Sequence, residues 1–180
     1  MLAILVSLII TLTNVQTGQP IRLHEINSQI LVVVFTGARC PISRAYSSAL
    51  SDLQSRYESR GVRILAVNSN ESENIDKIRR AVQQDGIKLM TLKDNGHALA
   101  DQLEAQYTPE AFVLDRERNV RYRGPVGNTD APTANPSKVN TLHLEAALDA
   151  LLSGKPVARP VIKAFGCAIE RSALLNPRKH

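Results

Sequence analysis

The sequence predicts an α/β fold in which a mixed β-sheet is covered by helices on both faces. The run Ile30–Phe35 contains three consecutive valines, which is typical of a central strand buried on both sides. An amphipathic helix and a second apolar strand at residues 62–67 follow, and this order predicts a parallel βαβ unit. Two later strands, at residues 111–114 and 120–123, flank a polar turn and predict a hairpin that adds antiparallel strands.

The amino-terminal residues allow two interpretations. The run up to Leu12 is apolar and resembles the core of a secretory signal, but no Lys or Arg precedes it and no clear cleavage site follows. It is too short to cross a bilayer as a helix. Residues 10–14 and 19–23 alternate around a turn containing Gly18, which predicts an N-terminal hairpin. We therefore assign residues 1–9 to a leader remnant, with a simple first strand as the alternative.

Apolar stripes at helical spacing predict four helices. Pro41 opens the first, because a proline in the first turn sacrifices no hydrogen bond. Its stripe extends to Tyr57 and Gly61 ends it, since glycine readily adopts the left-handed conformation of a helix stop. The other three helices are expected near residues 75–85, 98–103 and 144–152, and residues 89–92 predict a short strand.

The chain of 180 residues is long enough for one domain with its own core. We assign residues 10–155 to that domain. Residues 156–180 contain three prolines and the pair Gly166-Cys167, and they predict an irregular C-terminal tail. Such a tail must dock on the domain to be ordered.

Composition excludes several classes of function. The net charge is +5, but Lys and Arg are scattered and aromatic residues make up only 4% of the chain. A nucleic-acid surface needs a denser basic face with interleaved aromatics, so we expect no nucleic-acid partner. We also expect no stable membrane span, because the apolar amino-terminal run is too short to cross a bilayer as a helix. The four histidines lie in separate elements, and we expect neither a metal site nor a cofactor. Asp94 and His97 lie in one turn, where we expect a helix cap and a surface ring, respectively.

Cys40 is the strongest candidate for chemistry. It lies between a buried strand and a helix start, where free backbone N–H groups and the helix dipole favour a thiolate. Arg39 and Arg44 flank it and are expected to act in the same direction. The thiolate is the reactive form of cysteine, so the pattern predicts a nucleophile. The alternative is a buried structural cysteine that behaves as a small hydrophobe.

The second cysteine, Cys167, leaves the pairing open. Two cysteines are too few for a disulfide scaffold, and their spacing is not that of a zinc site. They are compatible with one disulfide, with two free thiols, or with a reactive thiol and its resolving partner. The count alone does not decide the compartment.

Four stretches together resemble the thioredoxin superfamily. They are residues 33–43, 61–70, 107–115 and 122–124. Within the superfamily the chain is similar to the redoxin branch of alkyl hydroperoxide reductases and thiol-specific antioxidants (AhpC/TSA). It is most similar there to a peroxiredoxin-like group that keeps a single cysteine at the first thioredoxin position. The resemblance covers roughly residues 10–155 and implies a thioredoxin-like fold.

The chain departs from the family motifs at three places. Cys40-Pro-Ile-Ser43 replaces the Cys-x-x-Cys of thioredoxins, so a hydroxyl stands where the second thiol would be. Thr36 lies four residues before Cys40, whereas the peroxide-orienting threonine of peroxiredoxins lies three before. The peroxiredoxin arginine has no counterpart fixed by spacing, and Arg123 is the candidate taken from the arginines at 116, 118, 121 and 123.

The resemblance implies a thiol-dependent oxidoreductase that uses Cys40 to reduce a peroxide or a protein disulfide. Ser43 would hydrogen-bond the thiolate, and Cys167 would resolve the oxidised Cys40. Pro109 resembles the cis-proline of this fold, which would leave the backbone of Thr108 free to pair with a substrate strand. A thiol reductant protein would restore the enzyme. The alternative is a non-catalytic binding module that docks partners at the Pro109 face. We expect a bacterial envelope or secreted location rather than the cytoplasm.

Overall fold

A computed structural model of the protein describes residues 10–127 and 133–171. The expected leader at residues 1–9 and the end of the tail at 172–180 lie outside the described residues. Residues 128–132, part of the expected irregular segment after the hairpin, also lie outside them.

The described residues contain nine strands and five α-helices. The strands are β1 (Thr11–Asn14), β2 (Pro20–Arg22), β3 (Ile30–Phe35), β4 (Val62–Asn68), β5 (Met90–Lys93), β6 (Tyr107–Thr108), β7 (Glu110–Leu114), β8 (Val120–Gly124) and β9 (Cys167–Ala168). The helices are α1 (Pro41–Ala45), α2 (Ser47–Tyr57), α3 (Ile75–Gln84), α4 (Ala98–Gln102) and α5 (Leu142–Leu152).

Seven of the strands form one mixed sheet in the order β2-β1-β5-β4-β3-β7-β8. The central strand β3 pairs in parallel with β4 and antiparallel with β7. β4 pairs in parallel with β5, and β1 adds the N-terminal hairpin antiparallel to β5. The predicted mixed α/β sheet is therefore confirmed.

Helices cover both faces of this sheet, because the side chains of a strand point alternately to opposite faces. Val32 and Val34 face one core, which also contains side chains of α2 and α5. Leu31 and Val33 face a second core, which contains Leu99 and other side chains of α4. The continuous apolar run of β3 is thus explained by burial on both faces.

The first helix differs from its prediction as a single element. It is divided at Tyr46, where α1 ends and α2 begins. The backbone N–H of Tyr46 donates to the Ser43 carbonyl at 3.1 Å, a three-residue spacing that tightens the turn locally. The predicted end at Gly61 is confirmed, and its φ is +79°.

The tail packs along the body before it reaches the site. The backbone N–H of Arg123 donates to the Pro160 carbonyl at 2.8 Å, and that of Ile162 donates to the Arg123 carbonyl at 2.9 Å. The tail then forms β9, which pairs with β6 outside the main sheet. In the part of the chain that the structure describes, no helix is both long and apolar enough to cross a membrane.

Candidate functional site

Cys40 lies between the end of β3 and the start of α1, as predicted. It is the N-cap residue of α1, and the backbone N–H of Ser43 points at its Sγ at 3.4 Å. The short turn before it is closed by the Cys40 N–H, which donates to the Gly37 carbonyl at 3.2 Å. The sulfur therefore lies next to a backbone donor of the first helical turn, which stabilises negative charge there.

Cys40 and Cys167 form a disulfide across 127 positions of sequence, with their Cα atoms 6.1 Å apart. Cys40 is 5% exposed, whereas Cys167 lies at intermediate exposure above it. Of the three states that the sequence left open, the structure contains the disulfide.

The Thr108–Pro109 peptide bond is cis, in agreement with the predicted conformation. This turn directs the Thr108 carbonyl oxygen to within 3.2 Å of the Cys40 Sγ. The sequence analysis expected the Thr108 backbone to be free for a substrate strand. It is instead paired with the chain's own tail, because Thr108 lies opposite Cys167 and Tyr107 opposite Ala168 in the β6–β9 ladder.

Two glycines allow the close approach of these segments. A Cβ at Gly37 would lie 3.0 Å from both the Cys40 Cβ and the Asn70 amide nitrogen, so a side chain there would force these neighbours to shift. A Cβ at Gly166 would collide with the Thr108 carbonyl oxygen. Gly166 therefore needs to be glycine for lack of space, and Gly37 lies in a turn with little room.

Immediately after Cys167, the tail is held by two different segments of the domain. On one side, the Ile169 N–H donates to the Gln106 carbonyl at 3.0 Å, and the Ile169 side chain is only 6% exposed. On the other, the Glu71 N–H donates to the Glu170 carbonyl at 3.0 Å. The Glu170 carboxylate accepts from Arg39 at 2.9 Å and from the Ser72 hydroxyl. Cys167 is thus presented by an ordered extended strand.

Comparison with known proteins assigns this arrangement to a family. The family model described as "AhpC/TSA family" matches residues 9–123. The chain belongs to the AhpC/TSA family. The predicted redoxin branch of the thioredoxin superfamily is thereby confirmed.

The individual proteins that resemble this AhpC/TSA protein have low sequence identity to it. It is 25% identical over 103 residues to the thiol-disulfide oxidoreductase ResA of Halalkalibacterium halodurans, and the match covers 57% of each chain. A solved structure of a hypothetical protein from Sinorhizobium meliloti is 31% identical, with a TM-score of 0.81 and 91% of each chain covered.

A third relative supports the thioredoxin-like fold. A secreted Mycobacterium tuberculosis disulfide oxidoreductase, homologous to Escherichia coli DsbE, is 15% identical with a TM-score of 0.59. The match covers 78% of this chain and 94% of that one. At this identity the likeness concerns the fold alone.

Glu73 fixes the turn that carries Cys40, and the sequence analysis missed it. Its buried carboxylate accepts from the backbone N–H groups of Ala38 at 2.9 Å and Arg39 at 2.8 Å. It also accepts from the side-chain amides of Asn68 at 2.6 Å and Asn70 at 3.1 Å. Burial by itself raises the pKa of Glu73, but these hydrogen bonds outweigh it and lower the pKa below the ordinary value.

Asn70 links this carboxylate to the tail. Its side-chain oxygen accepts from the Glu170 N–H at 2.9 Å, while its backbone carbonyl accepts from the buried Lys93 ammonium at 2.6 Å. Burial lowers the pKa of Lys93, and the neighbouring Glu73 and Asp94 carboxylates oppose that effect. The signal in the sequence was a run of polar residues, 68–73, at the carboxyl end of a buried strand, where functional groups of α/β sheets collect.

Three predicted site residues make their contacts away from the Cys40 sulfur. The Thr36 hydroxyl donates to the Val67 carbonyl at 3.5 Å. The Ser43 hydroxyl accepts from the Gly37 N–H at 3.1 Å, so it is the backbone of Ser43 that faces the sulfur. Arg123 pairs with Glu110 at 3.1 Å and lies over the ring of Phe112.

The two arginines expected to support a thiolate are paired with carboxylates. Arg39 pairs with Glu170 at 2.9 Å and lies 3.7 Å from Glu73, while Arg44 pairs with Asp85 at 2.5 Å. Their charges are therefore largely compensated, and the expectation that both act on Cys40 was too simple.

His97 also differs from the sequence analysis, which placed it as a surface ring. It is 1% exposed, and its Nε2 lies 3.1 Å from the Glu170 carbonyl oxygen. The expected helix cap at Asp94 is present, since its carboxylate accepts from the N–H groups of Leu99 at 3.2 Å and Ala100 at 3.0 Å. Across the described ranges, no cluster of three or more His, Cys, Asp and Glu residues could hold a metal ion.

We predict that Glu73→Gln destabilises the protein by about 1–3 kcal/mol at pH 7, because an amide cannot accept all the hydrogen bonds of the buried carboxylate. The folded pKa of Glu73 is lowered, so its contribution is present above the unfolded pKa and is lost as the pH falls through the folded value. Urea unfolding at pH 7 and at pH 3 measures both effects, and the deficit should shrink at the lower pH.

The control for this measurement is Glu117→Gln in the exposed hairpin turn, which should change the stability by less than about 0.5 kcal/mol. A Glu73→Gln deficit that is the same at both pH values would contradict the assignment of a stabilising carboxylate.

We predict that reduction of the Cys40–Cys167 disulfide lowers the free energy of unfolding by about 2–5 kcal/mol, because the bond closes a long loop in the unfolded chain. Guanidinium unfolding with and without a phosphine reductant measures the difference. Cys167→Ser should show no dependence on the reductant, and an unchanged midpoint in the unaltered protein would refute the prediction.

Proposed function

We propose that this AhpC/TSA protein is a thiol–disulfide oxidoreductase in which Cys40 is the nucleophile and Cys167 is the resolving cysteine. The observation that carries the proposal is the Cys40–Cys167 disulfide beside a cis-proline. The similarity to ResA, a thiol-disulfide oxidoreductase, supports the same class of reaction, and this chain spans 57% of that protein's length.

Reduction of the substrate requires two exchanges, and a third exchange with a thiol reductant completes the cycle. The Cys40 thiolate attacks one sulfur of a protein disulfide, forms a mixed disulfide and releases the other sulfur as a thiolate. The Cys167 thiolate then attacks the Cys40 Sγ, which forms the intramolecular disulfide and releases the second substrate thiolate. A thiol reductant protein returns the pair to two thiols, with its own dithiol oxidised to a disulfide.

The surroundings of Cys40 suit this order of events. Its Sγ receives the Ser43 N–H and is 5% exposed beneath Cys167, so a substrate reaches it only when Cys167 has moved away. Cys167 lies at intermediate exposure on a tail that packs against the domain from outside. Cys40 is therefore suited to act as the nucleophile once the tail has moved, and Cys167 is suited to be the mobile partner.

Peroxide reduction is the second candidate, and membership of the AhpC/TSA family favours it. Attack of the Cys40 thiolate on a peroxide would give a sulfenic acid and an alcohol or water. The Cys167 thiol would then form the same disulfide and release water. Against it, Thr36 and Arg123 make their hydrogen bonds to other groups than the sulfur, so the peroxide-orienting residues are not assembled around Cys40.

A non-catalytic binding module remains the alternative to both reactions. It would use the β6 edge to hold an extended partner without turnover of the cysteines. We place the protein in the bacterial envelope or outside the cell, where protein disulfides, the proposed substrates, form and persist.

We predict that Cys40→Ser abolishes reduction of a mixed disulfide between glutathione and a peptide, whereas Cys167→Ser stops the reaction after the first exchange. Intact mass spectrometry should then find peptide or glutathione attached to Cys40. The matched control, Ala168→Ser beside the resolving cysteine, should retain the activity. Full turnover by Cys40→Ser would contradict the proposal, and absence of any adduct in Cys167→Ser would favour the binding module.

For the second candidate, we predict that the reduced protein reacts at least about tenfold more slowly with hydrogen peroxide than with the peptide disulfide at equal concentration. Stopped-flow measurement with trapping of sulfenic acid by dimedone in Cys167→Ser provides the comparison. Faster reaction with peroxide would reverse the ranking of the two substrates.

A further inference from the structure

The tail occupies a groove between β6 with its preceding residue Gln106 and the loop at residues 70–72; we call this the tail groove. Residues 166–171 lie in it as an extended segment. Backbone hydrogen bonds hold it from both walls, through Gln106 on one side and Glu71 on the other. An extended peptide of another protein would find the same donors and acceptors if the tail were absent.

The side chains of the tail point alternately to opposite sides, as expected for a strand, and the two sides have different surroundings. The Ala168 side chain is exposed, and Cys167 turns toward Cys40. Ile169 turns inward and is 6% exposed, in the core cluster that also contains Leu99 of α4 and Leu103, which directly follows α4. The side chain of the residue two positions after the cysteine, which is Ile169 in the tail, therefore lies in an apolar subsite.

The next position has the opposite chemistry. The Glu170 carboxylate lies between the Arg39 guanidinium and the Ser72 hydroxyl, both on segments that flank the Cys40 turn. These groups are exposed, so the subsite contributes selectivity for charge more than affinity.

The position before the cysteine admits only a very small residue. Gly166 passes so close to Thr108 that an added Cβ would overlap the Thr108 carbonyl oxygen. A segment that presents its sulfur to Cys40 along this path is therefore restricted there to glycine.

From these subsites, and resting on the proposed function, we infer that the tail marks the path of the substrate. The preferred protein substrate presents an extended segment with glycine, cysteine, any residue, an aliphatic residue and an acidic residue in that order. The tail and the substrate segment compete for the same groove.

Competition for the groove determines the order of events in the resolving step. While a substrate segment is bound to Cys40 in the groove, residues 166–171 are displaced from it. When the tail pairs again with β6, it brings the Cys167 thiolate to the Cys40 Sγ and removes the backbone partners of the substrate. The Cys40–substrate bond breaks as the Cys40–Cys167 bond forms, and the substrate leaves as a thiolate.

The binding test uses a fluorescent peptide copy of residues 163–171 with Cys167→Ser, so no thiol chemistry takes part. The acceptors are full-length chains carrying Cys40→Ser and Cys167→Ser. One also carries Ile169→Asp, which loosens its own tail, and the matched control carries Ala168→Asp. We expect the peptide to bind at least about tenfold more tightly to the Ile169→Asp acceptor.

Variants of the peptide test the two subsites in the same assay. Peptides with Ile169→Asp should bind at least about tenfold more weakly than the parent, and peptides with Glu170→Lys severalfold more weakly at low salt. Ala168→Ser in the peptide should have no effect. Equal affinity of the two acceptors, or of the parent and Ile169→Asp peptides, would overturn the inference.

A second measurement uses the reduced, unaltered protein and does not depend on the folding of any variant. Glutathionylated peptides Gly-Cys-Ala-Ile-Glu and Gly-Cys-Ala-Asp-Lys are compared, and we expect at least a tenfold higher kcat/KM for the first. Equal values would overturn the inference while leaving the proposed function intact. Absence of turnover with both would count against the proposed function, and the binding assay would then decide the inference alone.

Discussion

The short antiparallel pairing between Tyr107–Thr108 and Cys167–Ala168 is the interaction on which the site depends. The cis bond at Pro109 sets the direction of β6, and the tail aligns with it. Only this alignment brings two sulfurs that are 127 positions apart into one bond. Without it, the chain would carry one cysteine at the start of a five-residue helix and a second one on a tail that is held only by its contacts before and after Cys167.

The pairing is supported by a buried polar network at the carboxyl end of the parallel strands. Glu73 holds the turn before Cys40, and Asn70 connects that carboxylate to the tail strand. Groups that hold the turn before Cys40 and groups that hold the tail beside Cys167 thus belong to one loop. The buried carboxylate is tolerated there because four hydrogen bonds from the protein replace those that it would make to water.

Much of this arrangement could be predicted from the sequence. The valine run, the Cys40-Pro41 junction and the hairpin are local patterns, and each determines its own geometry within a few residues, whereas the cis bond at Pro109 was expected from the resemblance to the redoxin family. The resemblance to the redoxin branch joined them into one fold. One local pattern gave a wrong prediction. The apolar stripe continues past Tyr46 and predicted one helix, but a tightened turn divides the helix there.

What the sequence did not reveal depends on contacts between distant segments. Cys167 gives no sign of its partner, because the tail reaches Cys40 only after packing along Arg123. Glu73 and His97 look like ordinary polar residues, since burial, rather than residue type, gives them their importance. The same holds for Arg123, which was one of four candidate arginines that spacing did not distinguish and whose side chain pairs with Glu110.

The most direct test of this account is a redox titration of the full-length protein in glutathione buffers, with alkylation of free thiols and mass spectrometry of the digest. The account requires Cys40 and Cys167 to lose their thiols together and to appear in one peptide pair cross-linked within a single chain. Cys40 that accumulates as a glutathione adduct while Cys167 stays free, or a bridge that joins two chains, would contradict it.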